Sequence, residues 1–272
     1  MTHTRRQLTA LLETHDLGPS RALGQNFVVD PNTVRRIARL ANVGPDVAVV
    51  EIGAGLGSLT LALAETGAEV VAVETDRHLI PVLREVVADQ PGVTVVHADA
   101  LKLDWTELLA GHDQWVLVAN LPYNVATPLV LDLLADVPRI GRMLVMVQLE
   151  AGQRLAAGPG DAAYGIPSVK VAYAATARLV GRVGPDVFLP KPKVDSALVE
   201  VVRRAQPATD ADRATTMALV DKAFNQRRKM LRRSLAGVVT PEQFTAAGVD
   251  PEARPERLSV EDFGRLAQAL NS

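Results

Sequence analysis

The chain has 272 residues, 48% of them hydrophobic and 22% charged, which suits one large globular domain or a main domain with a small companion. A formal net charge of −2 excludes nucleic-acid binding by overall basicity, and the absence of cysteine excludes disulfides and thiolate metal sites. The five histidines show no metal-ligand spacing, so no metal is expected. The first twenty residues hold no apolar core of signal-peptide length. The most apolar stretch, residues 47–74, is broken by acids and glycines, so a cytoplasmic location and no membrane span are expected.

Taken in chain order, "DPNTVRRIARLANV" is predicted as an amphipathic helix with Asp30 as its cap and Pro31 at its first position. Valine-rich runs follow at 47–53, 69–74, 93–99, 115–122 and 143–148, apolar on nearly every position as strands buried on both faces are. Helix-like stretches such as 58–66 and 76–90 separate them. This alternation predicts βαβ units and an α/β fold: a Rossmann-like parallel sheet covered on both faces. After residue 165 the rhythm changes, and "KVAYAATARLVGRV" (170–183) and "DSALVEVVRR" (195–204) read as two more strands joined by the proline-rich "GPDVFLPKPKV". A polar linker (203–213) then leads to a small helical domain.

"EIGAGLGSLT" puts Gly53, Gly55 and Gly57 after one strand and before a helix, where glycines permit a tight turn and close approach of a ligand. The G-x-G-x-G spacing is not that of a nicotinamide dinucleotide fingerprint, and no Walker lysine follows. Glu74, Asp99 and Asn120 then end the next three strands. In an open parallel sheet those ends form a single crest where ligands bind. A nucleoside without phosphates fits, and S-adenosylmethionine is the expected cofactor, with Glu74 on the ribose and Asp99 on the adenine amine. Glu51 either faces the cationic methionine end or caps the turn.

The fourth strand ends in Asn120-Leu121-Pro122-Tyr123, the signature of methyltransferases that act on exocyclic amines. The lone pair of an adenine N6 is delocalised into the ring. Hydrogen bonds from N6 to the Asn120 side-chain oxygen and the Leu121 carbonyl favour a pyramidal, nucleophilic nitrogen. Pro122 fixes the direction of that carbonyl. Tyr123 stacks on the base, and Phe188 is a candidate second wall, with an ordinary core phenylalanine as the alternative. No general base is required.

Together, "RALGQNFVVD", "EIGAGLGSLT", "VAVETD", "HADAL", "VANLPYNVATPLV", "VFLPKPKVDSALVEV" and "FNQRRKMLRRSL" occur in the order found in the small-subunit (16S) ribosomal RNA adenine N6,N6-dimethyltransferases, the kasugamycin-sensitivity (KsgA) family, which the chain resembles from about Arg21 onward. The resemblance implies dimethylation of two adjacent adenosines near the 3′ end of 16S rRNA, within the 30S subunit or its precursor, late in assembly. It implies cofactor contacts at Asn26, Val28, Gly53, Gly55, Glu74, Asp99 and Asn120, and adenine contacts at Asn120, Leu121, Tyr123 and Phe188. The expected division is a catalytic domain over 1–204 and a helical RNA-binding domain over 205–272, in a monomer. Departures from the family pattern include Val28 where leucine is usual, Ala54 where proline is usual, and Gly152 in a predicted helix, a glycine that costs about 1 kcal/mol against alanine.

"DKAFNQRRKMLRRSL" (221–235) is predicted as one amphipathic helix with an apolar stripe of Met217, Val220, Phe224, Leu231 and Leu235. The segment 212–233 carries seven basic residues and two acids within a net-acidic chain. Such clustering points to phosphate contact by Arg228, Lys229, Arg232 and Arg233, with joining of the two domains as the alternative role for some of them. Two rival readings remain: a 23S rRNA methyltransferase of the macrolide-resistance type, and a non-catalytic ribosome-assembly factor. Against the second, a pure binder has no need of Asn120, Pro122 and Tyr123.

Overall fold

A computed structural model describes residues 2–270, which form two compact units. One holds the chain up to Gly152 together with Arg178–Val202; the other holds Gln153–Ala177 and the chain from Arg203 onward. The boundary expected after residue 204 lies close to the last crossing. The segment 153–177 also belongs to the second unit, because Tyr164, Val169 and Tyr173 are buried in its core.

The first unit begins with α1 (Arg5–Thr14), started by a capping box between Thr4 and Gln7. The short strand β1 (Phe27–Val28) leads into α2 (Pro31–Ala41), where the Asp30 carboxylate accepts from the Thr33 N–H as a cap should. Strands and helices then alternate as expected: β2 (Ala48–Ile52), α3 (Ser58–Ala64), β3 (Glu69–Glu74), α4 (Ile80–Val86), β4 (Val93–His97), α5 (Trp105–Leu108), β5 (Trp115–Asn120), α6 (Ala126–Asp136) and β6 (Ile140–Gln148). After α7 (Leu149–Ala156) and α8 (Ile166–Ala174) come β7 (Ala175–Val183), β8 (Phe188–Leu189) and β9 (Ser196–Arg203). The stretch 170–183, expected to be all strand, is therefore helix up to Ala174. Val169 and Tyr173 share the helix face buried in the second unit's core, and Val171 is buried on the opposite side.

The sheet order is β4-β3-β2-β5-β6-β9-β7. The strands β4, β3, β2, β5 and β6 are parallel, and β9 runs antiparallel to β6. β1 and β8 form a separate antiparallel pair. All five residues of β2 are buried, as befits a central strand covered on both faces. From β2 the chain passes first to β3 on one side and later to β5 on the other. That reversal opens a crevice between the carboxyl ends of β2 and β5. Gly152 also finds its reason here: a Cβ would stand 3.0 Å from Ala197 Cβ and from Val199 Cγ2.

The second unit packs α8 with α9 (Arg213–Asn225), α10 (Leu231–Ser234), α11 (Pro241–Ala247) and α12 (Val260–Leu270). The Phe224 ring lies 6.0 Å from Tyr164 and 6.3 Å from Phe263, and the Tyr164 hydroxyl donates to the Leu258 carbonyl at 2.8 Å. The single helix expected over 221–235 is two helices. It breaks because the Leu231 and Arg232 N–H groups bond to the Ala253 and Pro251 carbonyls at 2.8 and 2.9 Å rather than to their own helix. The apolar stripe survives the break: Val220, Phe224, Leu231 and Leu235 are buried, and Met217 packs against them. Among the described residues no helix is long and apolar enough to cross a membrane.

Candidate active site

The crevice is built from the β2–α3 turn. Gly53, Gly55 and Gly57 have φ of +73°, +58° and +78°, in the left-handed region that favours glycine. Space is as restrictive as conformation at two of them. A Cβ on Gly55 would meet the Phe27 ring at 3.1 Å, and one on Gly57 would meet Val86 at 2.9 Å. The turn hangs from the neighbouring strand, with Gly53 N donating to the Val73 carbonyl at 2.8 Å.

Glu74 at the end of β3 is 5% exposed and braces the same turn. One carboxylate oxygen accepts from Gly55 N at 2.7 Å and the other from Asp76 N at 2.8 Å. Burial raises its pKa, and the backbone donors oppose that rise. Glu74 lines the crevice, and a carboxylate has acceptor capacity beyond these two bonds, suited to ligand hydroxyls. Asp99 lies on a second lobe beside the apolar side chains of Ile52, Val73, Ala98 and Leu129, with its carboxylate as an acceptor there. Its Oδ1 accepts from Leu101 N at 3.0 Å. The two lobes share Leu23, Gly53, Thr75 and Pro122 and so form one continuous crevice.

A third lobe joins Val28, Glu51, Gly53, Gly55, Ser58 and Asn120. The Ser58 hydroxyl is buried there without a hydrogen-bond partner among the described residues, a polar atom left for a ligand to satisfy. Glu51 is 1% exposed and accepts from the Thr60 hydroxyl at 2.6 Å. Burial, reinforced by nearby Glu74 and opposed by Thr60, pushes its carboxyl up to about 8. A folded pKa above the unfolded 4.5 means that the folded state holds the extra proton, so stability falls as pH rises from about 4.5 to about 8. The Glu51→Gln protein is expected to lose that dependence and to outlast the wild type in urea at pH 8. The two should converge toward pH 5. Near the steepest point the difference changes by about 1.4 kcal/mol per pH unit. Urea midpoints at pH 5, 6.5 and 8 check this, and parallel profiles for the two proteins would contradict it.

The amine-methyltransferase signature sits across the crevice from the glycines. Asn120 Nδ2 donates to the Asn26 carbonyl at 2.9 Å. A carbonyl can only accept, so this bond fixes the amide with its nitrogen toward Asn26 and leaves Oδ1 as the acceptor available to a ligand. Leu121 is anchored by its buried side chain and by its N–H to the Met146 carbonyl at 3.0 Å, with Pro122 following at the rim. The Tyr123 hydroxyl bonds to the buried Ser196 hydroxyl at 2.8 Å, which steadies a half-buried ring, and burial raises its pKa.

Asn26, Gly53, Gly55, Glu74, Asn120, Leu121, Pro122 and Tyr123 thus line one lobe, with Asp99 and Val28 on its neighbours. Phe188 is the exception. It is fully buried among Val34, Ile37 and Leu198 because the β1–β8 pair turns its ring into the core, so it has no face to offer a base. Ser196, the partner of Tyr123, and Gln25, which lines the same lobe, were not anticipated from the sequence. Ser196 stands in the quoted "KVDSALVEV", and only the pairing of β9 with β6 brings it to Tyr123.

In the second unit the basic residues crowd the exposed turn between α9 and α10. Arg227 is engaged, donating to the Ala162 carbonyl at 3.2 Å and lying 3.8 Å from Glu256. Arg232 pairs with Glu252 at 3.2 Å. Arg228, Lys229 and Arg233 are exposed and make no ion pair among the described residues.

A family described as ribosomal RNA adenine dimethylase matches residues 20–272. A protein of Kineococcus radiotolerans named ribosomal RNA small subunit methyltransferase A is 51% identical, over 96% of this chain and 89% of its own. One of the same name from Streptomyces coelicolor is 48% identical over 97% and 94%. Among solved structures, the 23S rRNA methyltransferase ErmE superposes with a TM-score of 0.72 at 27% identity, over 90% of this chain and all of its own. A dimethyladenosine transferase from Plasmodium falciparum superposes at 0.73 with 22% identity, over 89% and 96%. The fold is that of the class I S-adenosylmethionine-dependent methyltransferases.

Proposed function

The chain belongs to the ribosomal RNA adenine dimethylase family, and from that premise we propose that it dimethylates N6 of two adjacent adenosines near the 3′ end of 16S rRNA, late in small-subunit assembly. It is an S-adenosylmethionine-dependent methyltransferase. The curated relatives at about half identity are named for the small subunit, which favours this substrate over the 23S rRNA of the more distant ErmE. The reading carries a monomer acting in the cytoplasm on the 30S subunit or its precursor.

The residues present suit the cofactor. The glycine turn leaves no room for side chains at Gly55 and Gly57, Glu74 has acceptors for ribose hydroxyls, Asp99 borders a largely apolar lobe, and Ser58 offers a hydroxyl unpartnered among the described residues. When bound, S-adenosylmethionine supplies an electrophilic sulfonium methyl. The protein's part is to hold and orient the target. Asn120 Oδ1 and the Leu121 carbonyl accept from the adenine amine, drawing its lone pair out of conjugation, while Tyr123 stacks on the ring. Catalysis is by position and by fixed dipoles. The base leaves its own stack to be held so, at a cost of a few kcal/mol. The one observation that carries this reading is the Asn120 amide with its nitrogen consumed by Asn26. The test is transfer of labelled methyl groups to 30S subunits lacking dimethyladenosine, with 50S subunits in parallel. Dimethyladenosine on 30S alone is expected. Label on 50S RNA would move the protein to the resistance branch, and tight binding without transfer would make it an assembly factor.

On this reading Arg228, Lys229, Arg232 and Arg233 meet the RNA backbone, Arg232 sharing its guanidinium with Glu252. Replacing Arg228, Lys229 and Arg233 together by alanine is expected to flatten the dependence of log K on log salt by about 2–3, since each phosphate contact contributes roughly 0.7–0.9. Binding titrations from about 50 to 200 mM salt measure the slope. Adding Arg232→Ala should change it least.

A further inference from the structure

The loop from Ser20 to Phe27 forms one wall of the crevice, and its Gln25 has no part in the contacts described so far. Both ends of the Gln25 amide are held. Oε1 accepts from Ser20 N at 2.7 Å, closing the loop on itself, and Nε2 donates to Asp76 Oδ2 at 2.9 Å, tying the loop to the chain just beyond β3. Asp76 is itself fixed there: its N–H donates to Glu74 and its Oδ1 accepts from His78 N at 3.0 Å. On the other side of Gln25, the Asn26 carbonyl receives the Asn120 amide, and the Asn26 side chain donates back to the Gly24 carbonyl at 3.0 Å. One short loop therefore joins the acid assigned to the ribose to the amide assigned to the target amine.

We propose that Gln25 is a positioning residue for methyl transfer: its bond to Asp76 pins the loop so that the Asn26 carbonyl holds the Asn120 amide in its productive orientation. The inference rests on the reading of Asn120 as acceptor of the target amine. Without the pin, the Asn26 carbonyl moves relative to β5. The Asn120 amide then turns or drifts, while Glu74, the glycine turn and Asp99, which are fixed by the sheet, still hold the cofactor. Of the expected cofactor contacts only Asn26 lies on this loop, so the loss falls more on kcat than on cofactor affinity.

A swap of donor and acceptor tests this. Gln25→Glu removes the donor and sets a second carboxylate against Asp76, whereas Asp76→Asn restores a donor. In the double variant the new amide nitrogen at position 76 faces the carboxylate introduced at position 25. The amide oxygen still accepts from His78 N, and the new carboxylate still accepts from Ser20 N. Gln25→Ala serves as a single variant that adds no charge. Rates on 30S subunits lacking dimethyladenosine are counted per S-adenosylhomocysteine-binding site, so misfolded protein does not enter. Gln25→Glu and Gln25→Ala are expected to lose about 10- to 100-fold in kcat, the scale of an ångström's misplacement. Affinity for S-adenosylhomocysteine should stay within about threefold, and the double variant should recover to within about threefold of wild type, as expected for a direct pair. A double variant no faster than the slower single variant would overturn the proposal. So would a loss confined to cofactor affinity with kcat intact. A wild-type protein that transfers no methyl group would overturn the adenine-methylation reading itself, a result distinct from either.

Discussion

Replacing Asn120 by alanine is expected to lower the single-turnover rate of methyl transfer by about 10²–10³, the usual scale for removing one preorganised hydrogen-bond partner from a reacting centre. The side chain makes no contribution to the glycine turn or to Glu74, so affinity for the cofactor should change by less than about tenfold, or 1.4 kcal/mol. Asn120→Asp separates the dipole from mere occupancy of the space. It keeps an oxygen toward the crevice but sets the other against the Asn26 carbonyl, so that an acceptor replaces the donor now 2.9 Å from that oxygen. The aspartate should therefore be as poor as the alanine near neutral pH. It should regain rate as pH falls and its protonated oxygen can donate to Asn26. Quenched-flow measurement with 30S subunits across pH distinguishes the cases. An alanine variant within tenfold of wild type would remove Asn120 from the mechanism.

How far the sequence reveals this site follows from the kind of interaction involved. Gly53, Glu74, Asp99 and Asn120 were legible because each is local: Glu74 and Asn120 end strands, Gly53 directly follows one and Asp99 lies two residues beyond another, and parallel pairing brings strand ends to one crest. The cap at Asp30 is local too. Failures came where distant partners decide. The helix at Ile166–Ala174 is valine-rich enough to read as strand, and its burial in the second unit settles the matter. The break after Asn225 depends on carbonyls at Pro251 and Ala253. Phe188 faces the core through pairing with β1, far earlier in the chain. Gln25 with Asp76, and Tyr123 with Ser196, are side-chain pairs that no periodicity encodes.

Glu74→Ala should be the most damaging change for cofactor binding. The carboxylate accepts two backbone donors, the buried Gly55 N and the partly buried Asp76 N, before any ligand arrives. Deleting it leaves both unsatisfied, at roughly 1–3 kcal/mol each. It also removes the charged acceptor for the ribose hydroxyls, whose hydrogen bonds contribute about 1.5–3 kcal/mol apiece. Dissociation constants for S-adenosylhomocysteine should therefore rise at least about 100-fold. The melting temperature should fall as well, because the turn through Gly55 loses its brace. Glu74→Gln preserves shape and volume yet can accept at only one end, so one of the two backbone donors must face an amide N–H. An intermediate loss in both measurements follows, by titration calorimetry for affinity and scanning calorimetry for stability. If the glutamine variant bound within about threefold of wild type, the charge at position 74 would be dispensable.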